Sequence, residues 1–147
     1  MKKNINQIKD FFALKSFALI GASSQKKKFG NEILKQLLIR GINVMPIHKT
    51  ADLIEGAKCF KTLKSLPAKP EGVILVIPPS EVEKVVVDIN EIGIKNVWMQ
   101  QGAESNKAIE YCVSNGIKVV SKNCMLMFLE KPGFFHGFHR FIWGLGH

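Results

Sequence analysis

Arginine is close to absent from this chain: of 147 residues only Arg40 and Arg140 are arginines, so the formal net charge of +9 is carried by lysine. Proteins that read base sequence rely on the planar arginine fork. No aromatic platform for stacking bases is visible in the strand-like runs either, and both absences disfavour nucleic acid as a specific partner. The excess charge points instead to small anionic ligands or to plain solubility. Cysteine is also scarce. Cys59, Cys112 and Cys124 are odd in number, widely spaced and never in a C-x-x-C pair, which argues against a disulfide framework and a zinc knuckle and fits a reducing cytosol. No apolar run approaches the ~20 residues that a membrane span needs. Met1-Lys2-Lys3-Asn4 leads into Ile5, Ile8, Phe11 and Phe12 at helical spacing rather than into an export signal, so a cytoplasmic protein is expected. Linkers, repeats and low-complexity tracts are missing, and 46% hydrophobic residues suffice for one core. The expectation is a single domain over residues 1–147 with an aromatic tail from about 131 to 147.

What is present is a regular alternation of short apolar runs with helical patterns. After an amphipathic segment at residues 5–13, the run 17–21 predicts a first strand, and Ile33, Leu34, Leu37 and Leu38 predict a helix that stops at Gly41. Asn43 to Ile47 reads as the second strand, followed by a polar crossover with an edge strand at Cys59-Phe60 and a short helix near Leu63 to Leu66. Val73 to Ile77 is apolar at every position, as a strand buried on both faces of a parallel sheet must be. Pro78-Pro79 ends it, and Ser80 is expected to cap a helix carrying Val82, Val85, Val86 and Ile89 that closes at Gly93. The unit repeats with a strand at Asn96 to Gln100, a helix from Glu104 to Asn115, and a strand at Ile117 to Val120 leading to Asn123-Cys124. Such βα alternation predicts a Rossmann-like, doubly wound parallel sheet in three α/β/α layers.

In sheets of this class ligands bind beyond the carboxyl ends of the strands, where strand order reverses. That crevice is expected between the loop after Gly21 and the loop at Pro78-Pro79. In the first loop, Gly21 permits a sharp turn, Ser23 and Ser24 offer hydroxyl and amide donors, and the next helix directs its positive end at an anion. Lys26, Lys27 and Lys28 add to the field. The dinucleotide fingerprint is incomplete, because Ser23 replaces its second glycine and Gly30 lies too far along. An NAD site also wants an acid at the end of the second strand, where this chain has His48-Lys49; a cation there suits the phosphorylated ribose of coenzyme A or NADP.

Six stretches in order then carry a resemblance over about residues 13–125. They are Gly21-Ala22-Ser23 with Lys28-Phe29-Gly30, Val44 to Lys49, Ile54 to Phe60, Val76 to Pro79, Val97 to Glu104, and Asn123-Cys124. The chain resembles the coenzyme A-binding protein family, small relatives of the N-terminal domain of the succinyl-CoA synthetase α-subunit. The resemblance implies coenzyme A or an acyl-CoA as ligand, with its pyrophosphate on the loop Gly21, Ala22, Ser23, Ser24, Lys28 and Phe29. It further implies His48 and Lys49 near the phosphorylated ribose, and Ile77, Pro78, Pro79, Met99, Gln100 and Gln101 on the far side. The synthetase's phosphorylated histidine belongs to a second domain, and none of His48, His136, His139 and His147 maps to it.

No nucleophile with a neighbouring base, no paired carboxylates and no metal-ligand spacing stand out, so binding without turnover is expected, against the alternative of an NADP-linked oxidoreductase or sensor. Cys124 at a helix start could show an activated thiol, although buried structural cysteine is the commoner case. The tail places Phe134, Phe135, Phe138, Phe141, Ile142 and Leu145 at helical spacing, and docking onto its own domain or onto a second copy, as in a homodimer, is expected. Gly21→Val is expected to abolish binding while leaving the fold intact.

Overall fold

The computed structural model describes residues 2–25 and 28–130; Lys26, Lys27 and the aromatic tail, with His136, His139 and His147, lie outside the described residues. Five parallel strands form the central sheet: β1 (Phe17–Ile20), β2 (Val44–Ile47), β5 (Gly72–Leu75), β6 (Asn96–Gln100) and β7 (Lys118–Asn123), in spatial order β2-β1-β5-β6-β7. Two short strands, β3 (Leu53–Ile54) and β4 (Ala57–Lys58), make a separate antiparallel hairpin. The helices are α1 (Lys2–Phe12), α2 (Phe29–Ile39), α3 (Pro79–Ile92), α4 (Asn106–Ser114) and α5 (Met125–Leu129), with a single 3₁₀ turn at Leu63–Ser65.

The apolar runs are continuous because each strand feeds two cores. Phe17, Leu19, Ile74 and Trp98 face α1, α2 and α5, where they meet Phe11, Phe12, Leu34, Leu37 and Met125. Their neighbours Ala18, Val73, Leu75, Val97 and Met99 face α3 and α4, where they meet Val82, Val86, Ile89, Ala108 and Cys112. Period-two alternation across a sheet covered on both sides leaves no polar position in β1, β2 or β5, and three layers result. Trp98 is the largest fully buried side chain, with Phe11, Phe12 and Phe128 at ring-centroid distances of 5.5, 5.4 and 6.3 Å.

Local chemistry accounts for the ends. Gly41 and Gly93 end their helices with φ of +72° and +91°, as a left-handed stop favours. The expected cap at Ser80 is not observed: Pro78 stands at the N-cap and Pro79 at the first helical position, where a residue without an N–H costs nothing. The fourth helix starts later than expected. Ser105 caps it by accepting the Ala108 N–H, while the Glu104 carboxylate turns back to accept the N–H of Gly102. In place of an edge strand at Cys59-Phe60 stands the β3–β4 hairpin, whose two-residue turn holds Glu55 and Gly56 at φ of +50° and +81°. Phe60 itself makes an isolated parallel bridge to Ile47. Finally, β7 carries one extra residue against β6, because Trp98 pairs with Val120 but Gln100 with Asn123; Lys122 absorbs the bulge at φ +62°.

Candidate functional site

Numbered within the five-stranded sheet alone, the strand order is 2-1-3-4-5, and its reversal falls between β1 and β5. The carboxyl ends of β1 and β5, where the expected site residues Gly21 and Pro78-Pro79 follow, therefore meet at this switch point. Gly21 has φ +132°, and a Cβ on it would come 2.7 Å from the carbonyl carbon of Val76 and 2.9 Å from its Cβ. A Cβ on Gly30 would come 2.7 Å from the carbonyl carbon of Gly21. The first turn of α2 thus lies directly on the end of β1, which in turn lies on the end of β5. Close helix–strand approach is the office of the third glycine in a dinucleotide fold. Gly30 performs it here despite its distance along the chain.

Asn31, in the first turn of α2 and only 5% exposed, shapes the loop between them. Its Oδ1 accepts the N–H groups of Ser23 (2.9 Å) and Lys28 (3.2 Å), and its Nδ2 donates to the Ser23 carbonyl (2.7 Å) and to Glu55 Oε2 on the hairpin (3.2 Å). Ser23 Oγ accepts the Gln25 N–H at 3.2 Å. The Ser23 amide, read from the sequence as a ligand donor, is therefore spent inside the loop, and Ala22 is buried in the core. Ser24 is exposed in the loop, and Lys28 and Phe29 are exposed at the start of α2, where a helix leaves its first N–H groups without intrahelical partners. Sequence reasoning missed Asn31 and Glu55, whose partners lie up to 24 residues apart.

At the end of β2, His48 Nδ1 accepts the N–H groups of Thr50 (3.2 Å) and Ala51 (3.0 Å), which keeps the ring proton on Nε2. Its own N–H donates to the Phe60 carbonyl at 2.9 Å, tying the hairpin's exit to this strand. Lys49 is exposed beside it. After β5, Ile77 is half-buried while Pro78 and Pro79 are exposed; the Pro78 carbonyl accepts from Glu81 and Val82 to open α3. The β6 end departs from expectation. Met99 is fully buried against α3 and α4, and Gln100 is 3% exposed, so neither side chain lines the crevice. Gln100 Oε1 instead accepts the Trp98 indole N–H (3.1 Å) and the Met125 N–H (3.0 Å). Gln101 is exposed and donates its N–H to Asn123.

Cys124 is half-buried at the N-cap of α5. Burial pushes the Cys112 thiol up to about 11, and burial followed by the nearby charge of Asp52 raises Cys59. No group of three metal-binding side chains occurs among the described residues, and none of the described helices is long and apolar enough to cross a membrane. Two surface cavities, of about 340 and 250 Å³, lie elsewhere: one beside β7 at Val113 and Val119, the other at the amino ends of the strands near Lys69 and Asn96. Lys28, ahead of α2, and Lys49, after β2, are both exposed.

The profile of the CoA binding domain family matches residues 15–130. The α-subunit of an ADP-forming acetate–CoA ligase II from Pyrococcus furiosus is 28% identical over an aligned length of 126, covering 78% of this chain and 28% of that one. A conserved hypothetical protein from Pyrococcus furiosus superposes with a TM-score of 0.72 at 34% identity, over 78% of this chain and 98% of its own. The dinucleotide-forming acetyl-coenzyme A synthetase 1 of Ca. Korarchaeum cryptofilum superposes at 0.66 with 28% identity, over 76% of this chain and 27% of its own. The chain thus spans under a third of the length of the ligase subunit and the synthetase.

Proposed function

This chain belongs to the CoA binding domain family, and from that premise we propose that it holds coenzyme A or an acyl-CoA at the carboxyl edge of its sheet, without turnover. The observation that carries the reading is the glycine contact of Gly21 with Gly30, which sets the first turn of α2 at the β1/β5 crevice where an anion meets its N-terminus. The pyrophosphate lies on the loop at Ser24 and the start of α2 at Lys28 and Phe29. Lys49, with the Nε2–H of His48 beside it, meets the ribose 3′-phosphate. Ile77, Pro78, Pro79 and Gln101 form the opposite wall. Two relatives named for coenzyme A chemistry support the ligand. Calorimetry with coenzyme A, dephospho-coenzyme A, NADP and NAD tests it: coenzyme A should bind most tightly. Equal affinity for the dephospho form would remove Lys49 from its role, and preference for NADP would overturn the reading.

A further inference from the structure

One side chain closes the phosphate loop at both ends. Ser23 and Lys28 both donate their backbone N–H to the same Asn31 oxygen. The other half of the amide is equally committed, to the Ser23 carbonyl and to Glu55. With two donors facing Oδ1 and two acceptors facing Nδ2, only one orientation of the amide satisfies the site, and at 5% exposure water offers no substitute. Three of the four bonds are internal to the loop. The fourth leaves it and reaches the turn of the β3–β4 hairpin, where Glu55 is held at φ +50°. The hairpin continues into Phe60, whose N–H donates to the Pro46 carbonyl and whose carbonyl accepts the His48 N–H, at 3.0 and 2.9 Å. A continuous line of hydrogen bonds and short strands therefore runs from the loop to the end of β2.

We propose that Asn31 is a positioning residue that couples the phosphate loop to the hairpin, so that the Glu55 turn and the His48-Lys49 end of β2 set the loop's shape and its affinity for a diphosphate. The proposal rests on the coenzyme A reading for its ligand. Preorganisation supplies the effect, because a loop already held in its bound shape has less freedom to lose on binding.

Substitutions at exposed Glu55 test the link without threatening the core. Glu55→Gln keeps an oxygen within reach of Asn31; Glu55→Asn suits the left-handed turn but is too short to reach it. Two readouts apply: amide hydrogen exchange at Ser23 and Lys28 in the ligand-free protein, and calorimetric affinity for coenzyme A and for inorganic pyrophosphate. Glu55→Gln should behave as wild type in both. Glu55→Asn should speed exchange at Ser23 and Lys28 and weaken coenzyme A binding roughly fivefold, the loss of about one hydrogen bond, with the melting temperature little changed. Asn31→Ala should do both more strongly. Wild-type exchange and affinity in Glu55→Asn would overturn the coupling. A wild-type protein that ignores coenzyme A would overturn the functional reading alone, since the exchange rates still judge the link.

Discussion

A side chain on Gly21 would have to enter space that Val76 already fills, at a φ of +132° that L-residues rarely adopt. The sequence suggested that this glycine answers to the ligand and that Gly21→Val would spare the fold. The packing of β1 on β5 reverses the second half of that expectation. Gly21→Val should destabilise the ligand-free protein by about 3 kcal/mol or more, because backbone has to shift as well as accept strain. Gly56→Ala and Gly102→Ala have no atom within 4 Å of the new carbon and should cost only the left-handed penalty of about 1 kcal/mol. Urea unfolding of the three variants checks this, and an unshifted midpoint for Gly21→Val would show that the end of β1 yields. Cys112 makes a second residue-scale case. Burial raises its thiol to about 11 when folded, against an ordinary 9.0. A raised thiol stabilises the fold fully below the unfolded value and loses that contribution as pH climbs through the window from 9.0 to about 11. The stability difference between wild type and Cys112→Ala should therefore narrow across that window in unfolding curves. The freedom of Gly21 to take a positive φ could be weighed from sequence alone, since it belongs to the residue, whereas its packing on Val76 could not. Asn31 could not, because an asparagine in a helix's first turn reveals its importance only when the loop folds over it.

Elements were legible where burial on both faces left a continuous apolar signature, as in β1, β5 and β6. They were illegible where two residues suffice. The β3–β4 hairpin has strands too short for any period, and its turn sets Glu55, a residue that does not advertise positive φ, at +50°. Gln100 shows the same limit at the far end of the sheet. The family resemblance implied that it faces the ligand, yet its side chain turns inward to serve Trp98 and Met125 beside the bulge on β7 and the start of α5. Gln100→Leu would leave the indole N–H and the Met125 N–H both buried and unpaired, which should cost about 2–4 kcal/mol. It should also loosen α5 first. Hydrogen exchange at Met125 should rise beyond what global destabilisation explains, while the amides of β1 keep their wild-type ranking. If Met125 exchanges with the rest of the core, Gln100 anchors the strand rather than the helix.

At the scale of the whole molecule, the strand order that fixes the crevice could not be read directly from one sequence. The right-handed βα repeat and the loop chemistry nevertheless pointed to the β1/β5 edge where the order reverses. What the molecule does at that edge depends on whether it carries a group able to take part in transfer. His48 is the one histidine among the described residues, and it is poorly set for nucleophilic work: Nδ1 is occupied by two backbone N–H groups, and Nε2 carries the proton. A ring nitrogen that bears a hydrogen has no free lone pair to attack a phosphoryl group. Incubated with acetate, coenzyme A and labelled ATP, the chain should therefore form no acetyl-CoA and take up no acid-labile phosphate. It should still bind coenzyme A in a parallel calorimetric run, which guards against an inactive preparation. Mass spectrometry of the intact chain and its peptides reads the outcome. Phosphate found on His48, lost in His48→Asn, would mean that the turn at Thr50-Ala51 opens to free the ring, and binding without turnover would then be wrong.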